Sequence, residues 1–292
     1  VQLIAHGGAG SSPEHPRRRQ RRLDAAVDAG LRVDTPMDAV CETIRVLESD
    51  PAFNAGVGSA VQSDGRIRTD AGIMTDDRQC GAVAGLDGVV HAIDAARAVL
   101  EETPHVTLAG DPAVEFAAAH SIETDLDCWS DRTRQRWRDA VSPGSTVTEQ
   151  LEWLDEHFGG HDTVGAVATD GDALVAGTST GGRWAALAGR VGDVPQIGAG
   201  FYASEAGGAS ATGAGEDIAR EALARRAVEL LEDGYSPHDA AQQAIDTFGR
   251  QADGTAGVIV LDQEGTAGEA FDSPAMQTAG ASRSAPRRCV EK

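Results

Sequence analysis

Lysine is nearly missing from this chain: Lys292 is the only one, and arginine supplies the other basic residues. The 25 basic residues face 46 acidic ones, for a formal net charge of −21. A surface this acidic repels nucleic acid and anionic membranes, so neither is expected as a partner. Aromatic residues make up only 4% of the 292 residues. Cysteine is scarce too: Cys41, Cys80, Cys128 and Cys289 are scattered with no C-x-x-C pair, which reads as free thiols in a reducing cytosol. No run of 18 apolar residues occurs, so no membrane-spanning helix is expected. The first residues read as a strand with no basic or apolar leader, and a cytoplasmic location is the expectation. The spread of carboxylates predicts a surface adapted to concentrated salt, as in a halophile, and unfolding as salt is withdrawn is the expected outcome of a salt titration.

What is present is rich in glycine and in short apolar runs. Gln2–Ala5 reads as a strand, and Arg17–Val33 and Pro36–Ser49 as helices, the second opened by proline. Gly81–Leu86 and Val89–Ile93 flank Asp87-Gly88, a hairpin signal. Ala95–Glu102 and Pro112–Ala119 look helical. Residues 143–162 read as a loosely held connector with a helical stretch at Thr148–His157. Beyond it come a hairpin at Thr163–Thr169 and Ala173–Ala176, helices at Glu216–Asp233 and Pro237–Arg250, and a last hairpin at Ala256–Asp262 and Thr266–Phe271. Hairpins with paired helices predict two facing sheets covered by helices.

The connector ends in His161-Asp162-Thr163-Val164-Gly165. A threonine hydroxyl needs a base to become nucleophilic. If the Asp162–Thr163 bond is cut, the freed α-amine of Thr163 can be that base, with a reference pKa of about 7.7–8.0. Taken alone, Thr-Val-Gly reads first as an ordinary strand opening. The hairpin that follows returns Thr178-Ser179-Thr180-Gly181-Gly182 beside Thr163, and then come Gly189-Arg190-Val191-Gly192-Asp193 and Thr212-Gly213-Ala214-Gly215.

These motifs, in this order, resemble the plant-type (class III) asparaginases, the β-aspartyl peptidases of the N-terminal-nucleophile hydrolase superfamily, and their glycosylasparaginase relatives. Ile4-Ala5-His6-Gly7-Gly8-Ala9-Gly10 and Val46 through Gly58 extend the likeness through the first half, and residues 125–160 carry it least. The resemblance implies an α+β fold, a four-layer αββα sandwich of the N-terminal-nucleophile hydrolase type. It implies one domain, cut into an α subunit (1–162) and a β subunit (163–292), assembled as an (αβ)2 pair. The implied reaction converts L-asparagine to L-aspartate and ammonia and cleaves β-aspartyl dipeptides, with no cofactor required.

Carried onto this sequence, the resemblance makes Thr163 the nucleophile, with Thr180 and Asn54, the only asparagine of the chain, beside it. Thr212 and Gly213 would form the oxyanion hole. Arg190 would grip the substrate α-carboxylate, Asp193 its α-ammonium, and the Gly215 carbonyl would also take the amine. In the absence of the family likeness, Arg190 and Asp193 read first as a surface ion pair. The backbone carbonyls of Leu47, Glu48, Asp50, Phe53, Ala55 and Val57 match a structural sodium site.

Two departures stand out. Asp162 replaces the glycine usual before the nucleophile and makes the junction similar to that of glycosylasparaginases, whereas Thr180-Gly181-Gly182 keeps the asparaginase form instead of Thr-Asn-Gly. Arg68-Thr69-Asp70-Ala71-Gly72-Ile73-Met74 stands where relatives usually read Leu-Asp-Ala-x-Ile-Met. The alternatives are a glycosylasparaginase-like amidase or an uncleaved relative acting as a scaffold. Gly177-Thr178-Ser179-Thr180-Gly181 fits the G-x-S-x-G pattern, but the glycines and proline that follow leave no helix for a nucleophile elbow. A P-loop lacks its lysine. His157 and His161 straddle Gly159-Gly160, which breaks the helix that would align them on a metal.

Overall fold

The computed structural model describes every residue except 141–143, 145, 158–161, 282–288 and 292, and gives the main chain alone for 155–157 and 289–291. In chain order its elements are β1 (Gln2–Gly10), α1 (Pro16–Gly30), α2 (Pro36–Glu48), β2 (Arg68–Thr75), β3 (Cys80–Asp87), α3 (Ala92–Glu102), β4 (Thr107–Ala109), α4 (Gly110–Ala119), α5 (Asp131–Asp139) and α6 (Val147–His157). They continue with β5 (Val164–Thr169), β6 (Leu174–Thr180), β7 (Phe201–Ser204), β8 (Gly207–Gly213), α7 (Gly215–Glu221), α8 (Leu223–Glu232), α9 (Pro237–Gln251), β9 (Ala256–Asp262), β10 (Ala267–Phe271), β11 (Ala275–Ala281) and β12 (Cys289–Glu291).

Two sheets result. The larger runs β12-β11-β1-β5-β6-β2-β3-β4, and the smaller β10-β9-β8-β7. Their faces follow from strand alternation. In β1, Leu3 and Ala5 join the apolar cluster under α1, α2 and α3, while Ile4 joins the cluster shared with the smaller sheet. Val164, Ala166 and Ala168 point to the helices and Val167 points between the sheets. The sheets meet through β1, β2, β5 and β6 on one side and β7, β8 and β9 on the other. Helices α8 and α9 cover the far face of the smaller sheet, with Leu223, Ala227, Ala244 and Phe248 buried there. Thus the larger sheet carries helices on one face and the smaller sheet on the other.

Helix starts obey local chemistry. Thr35 and Ser236 accept the Asp38 and Asp239 amides, each before a proline. Ser130 and Thr133 form a capping box at α5, a helix the sequence does not announce.

The hairpin expected at Asp87-Gly88 does not form. β3 pairs instead with β2 and, in parallel, with β4. Past Gly88 the chain is drawn elsewhere: the Thr69 hydroxyl donates to Val89 O at 2.9 Å, and Ile93 N donates to Glu48 Oε1 at 3.1 Å as α3 begins. The single helix expected at Glu216–Asp233 is two, broken at Ala222 in a left-handed conformation (φ 50°). The strand expected at Ala173–Ala176 runs on to Thr180, and that extension positions the site. The connector's glycine pair at 159–160 and His161 lie outside the described residues. Cys41 and Cys128 are buried and Cys80 half-buried, all three as free thiols. Among the described residues no helix is long and apolar enough to cross a membrane.

Candidate active site

Asp162 and Thr163 lie just before β5, and the β5–β6 register sets their surroundings. Val164 pairs with Ser179, so Thr180 falls beside Thr163. The carbonyl oxygen of Asp162 accepts two hydrogen bonds, from Asn54 Nδ2 at 2.7 Å and from Thr180 Oγ1 at 3.1 Å. Thr163, buried, donates its own hydroxyl to Thr180 Oγ1 at 3.3 Å. The Gly182 amide donates to the same oxygen at 3.1 Å, which leaves the Thr180 proton free to face Asp162. Asn54 is held in one orientation: its Oδ1 accepts Ala60 N at 2.8 Å and its Nδ2 also donates to Gly182 O at 2.7 Å.

Two donors on one peptide carbonyl, next to a buried threonine hydroxyl, suit attack of that hydroxyl on the carbonyl. Negative charge would grow on an oxygen already hydrogen-bonded. Gly165 has a packing reason to be glycine, since an added Cβ would stand 2.0 Å from Ser210 Oγ and 2.5 Å from His6 Nε2. Those two atoms share a 2.9 Å hydrogen bond that ties β1 to β8, and burial drives the His6 pKa down to about 3, keeping it neutral.

The Asp162 side chain turns to α1. Arg19 Nη2 meets Asp162 Oδ2 at 3.1 Å and Gly7 O at 2.6 Å, while its guanidinium lies 5.0 Å from the Phe53 ring centre. Within Pro16-Arg17-Arg18-Arg19-Gln20-Arg21-Arg22 only Arg19 is buried. The sequence carried a signal for this: Arg19 precedes Leu23 by four residues and so shares the buried face of α1.

Arg190 and Asp193 do not form a surface pair. Asp193 is buried, and Arg190 Nε binds Glu216 Oε1 at 2.8 Å, whose other oxygen takes Arg183 Nη1 at 3.0 Å. Arg190 Nη2 and Asp193 Oδ2 are both buried without a hydrogen-bond partner. They flank Gly215, where an added Cβ would lie 2.5 Å from Asp193 Oδ1 and 2.7 Å from Arg190 Nη2. A spare guanidinium donor beside a spare carboxylate acceptor fits a ligand with its own carboxylate and ammonium. An added Cβ on Gly182 would lie 3.8 Å from Arg190 Nη1, so the residue that bonds Thr180 and Asn54 also borders this pair.

Burial pushes the Asp193 carboxyl up to about 6, against the pull of Arg190. Burial also raises Glu216, but Arg190 and Arg183 outweigh it and hold that carboxyl at about 2. Asp70 is a third acid here. It sits opposite Thr180 on β2, accepts Gly85 N at 2.7 Å, and is pushed by burial up to about 7. Sequence reasoning missed Glu216 and Asp70. A buried arginine's need for a counter-charge was the only signal for Glu216, and the departing Arg68–Met74 segment hid Asp70.

Thr212 and Gly213 end β8. Thr212 is fully buried, and its Oγ1 accepts the Ala9 amide at 3.2 Å, leaving its own proton to donate. Leu47, Glu48, Asp50, Phe53, Ala55 and Val57 lie at the end of α2 and in the loop that carries Asn54. Main-chain oxygens crowd inward there: a Cβ on Gly56 would stand 2.3 Å from Glu48 O and 2.7 Å from Val90 O. Glu48 O already accepts Val57 N at 2.7 Å, and a carbonyl has a second lone pair. Such an oxygen-rich loop fits a hard cation. Among the described residues no cluster of His, Cys, Asp or Glu could hold a metal.

A family model described as asparaginase matches residues 1–290. A plant-type L-asparaginase of Pyrococcus abyssi is 40% identical over 96% of this chain and 95% of that protein. An isoaspartyl peptidase of Salmonella typhimurium is 36% identical over 95% and 94%, and an isoaspartyl peptidase/L-asparaginase of Danio rerio 33% identical over 96% and 91%. With its threonine pair, its carbonyl held by Asn54 and its match across nearly every residue, the chain belongs to the asparaginase family that also includes isoaspartyl peptidases.

Proposed function

We propose that this chain is a threonine-nucleophile amidohydrolase that cuts itself between Asp162 and Thr163 and then hydrolyses L-asparagine and β-aspartyl dipeptides. The observation that carries the reading is the Asp162 carbonyl, gripped by Asn54 and Thr180 beside the Thr163 hydroxyl. In the first reaction Thr163 Oγ attacks that carbonyl carbon, the peptide C–N bond breaks, and the Thr163 nitrogen takes the hydroxyl proton. Water then hydrolyses the ester, leaving fragments 1–162 and 163–292. Intact mass and N-terminal sequencing test this directly: two fragments are expected, the smaller starting at Thr163, and one persistent uncut chain would overturn it.

In the second reaction the freed amine takes the proton of Thr163 Oγ as the oxygen attacks the substrate's side-chain amide. The Thr212 hydroxyl and the Gly213 amide stabilise the oxyanion, and the amine passes the proton to the leaving nitrogen. Water, deprotonated by the same amine, releases aspartate from the acyl-Thr163 ester. Arg190 and Asp193 hold the α-carboxylate and α-ammonium, with the Gly215 carbonyl beside the amine. Gly181 supports the asparaginase branch over the glycosylasparaginase one, because a Cβ there would stand 2.2 Å from Ser59 Cβ and leave no room for asparagine.

Arg190→Gln should lower kcat/KM on asparagine about 100-fold, in line with about 2–5 kcal/mol for losing one partner of a buried charge pair. Self-cleavage should proceed, since Arg190 touches neither Asp162 nor Thr163 by hydrogen bond; normal turnover would refute the assignment.

The pH profile carries a second expectation. Asp193 must be ionised to hold an ammonium, and burial raises its pKa from the usual carboxylate range to about 6, so this grip fails as pH falls through about 6. The Thr163 amine must be neutral, which costs activity below about 7.7–8.0. The acid limb of kcat/KM should therefore steepen from one proton to two below about pH 6. A limb of unit slope down to pH 5 would contradict it.

The reading includes a four-layer αββα sandwich, an (αβ)2 assembly and a cytoplasmic, salt-adapted protein. It also places a sodium ion on the carbonyls of Leu47, Glu48, Asp50, Phe53, Ala55 and Val57, where it would brace the loop carrying Asn54.

A further inference from the structure

We infer that Arg132 and Arg136 of α5 form the binding site for the α-carboxylate of the residue that leaves from a β-aspartyl dipeptide. The inference rests on the function proposed above and adds to it a subsite that selects dipeptides over free asparagine. The two arginines are one helical turn apart and line a cavity of about 270 Å³ together with Asn54, Asp162 and Thr255.

Neither guanidinium is neutralised within the described part of the fold. With 46 carboxylates available, neither arginine has an ion-pair partner among the described residues. Arg132 reaches only main-chain oxygens, Gly58 O at 3.4 Å and Pro51 O at 3.5 Å. Arg136 lies over the Trp184 ring, 4.0 Å from its centre, which leaves the guanidinium edge free to donate. On the same helix, Arg134 is paired with Asp127. Arg138, also without an ion pair among the described residues, donates to Gln135 Oε1 at 2.9 Å, so Arg132 and Arg136 are the arginines of this helix that line the cavity.

The side of the site is set by the chemistry. The Thr163 amine hands its proton to the leaving nitrogen, so that nitrogen approaches the amine where the Asp162 carbonyl carbon is bonded in the uncut chain. The leaving group thus takes the space that Asp162 vacates, and Asp162 is a wall of this cavity. Ammonia needs nothing there. An amino-acid leaving group carries an α-carboxylate one carbon beyond its nitrogen, and paired guanidinium groups suit it.

The test compares kcat/KM for β-aspartyl-leucine, its C-terminal amide and L-asparagine, on self-cleaved wild type and on R132Q/R136Q. Wild type should favour the free acid over the amide about tenfold, chiefly through KM, in keeping with a charge-assisted hydrogen bond. The double variant should lose that preference, and its ratio of dipeptide to asparagine activity should fall by a similar factor. Absence of a preference in wild type overturns the inference, and this arm stands even if the variant fails to fold. Retention of the preference in the variant, equal loss on both substrates, or a gain on both also overturns it. The gain would assign the arginines to the released Asp162 end. If wild type hydrolyses none of the three, the parent reading itself fails.

Discussion

Thr163→Ala is expected to leave one uncut chain with no hydrolysis of asparagine, a loss of about 10⁴-fold or more in turnover. Both reactions need the same oxygen: alanine removes the attacker of the Asp162 carbonyl and, by blocking the cut, also the free amine. Structure should survive, because the Thr163 side chain makes a single 3.3 Å hydrogen bond and the β5–β6 ladder is main chain. Gel electrophoresis and circular dichroism on the same sample separate the outcomes. A folded, uncut variant fits the proposal. Cleavage in the variant at the Asp162–Thr163 bond would remove Thr163 from the mechanism.

The second large effect belongs to Asn54. Its amide donates at 2.7 Å to the carbonyl that would bear negative charge during self-cleavage. Losing one such donor elsewhere costs about 10²–10³-fold in rate. Asn54→Ala should therefore mature about 10²–10³-fold more slowly than wild type, with Thr180 still donating at 3.1 Å. Asn54→Asp should be slower still, since a carboxylate offers no donor and repels the developing charge. A time course of fragment appearance checks both. Unchanged maturation in Asn54→Ala would confine Asn54 to its other bonds, to Ala60 N and Gly182 O.

Much of this site was legible because its residues cluster in motifs tied to one hairpin. The turn at Asp170-Gly171-Asp172 fixes the β5–β6 register, and that register delivers Thr180 to Thr163. The amphipathic helices with proline and threonine or serine at their starts were equally readable, as α2 shows. What escaped was the small-residue strands. β11 (Ala275–Ala281) and β8 (Gly207–Gly213) lack the β-branched runs that mark a strand. They form because small side chains let sheets approach closely: a Cβ on Gly208 would stand 2.7 Å from Leu174 Cδ2. Asp87-Gly88 misled for the opposite reason, a strong local turn signal overridden by Thr69 and Glu48, which are distant in sequence. Arg19 and Glu216 escaped because a charge is read as solvent-facing until its buried partner is known.

The strand order of the larger sheet also fixes when this molecule can fold. β1 lies between β11 and β5, and β6 lies against β2, so three of its ladders join residues before Thr163 to residues after it. While the chain is whole, those pairings form within one molecule at a rate independent of concentration. If the bond before Thr163 is cut as proposed, a denatured sample would hold two separate peptides that must meet before β1 finds its slot, and dilution would slow them. On that proposal folding would be a single-use event: the cut protein would endure by the height of its unfolding barrier, and recovery after denaturation would pass from first-order to second-order kinetics.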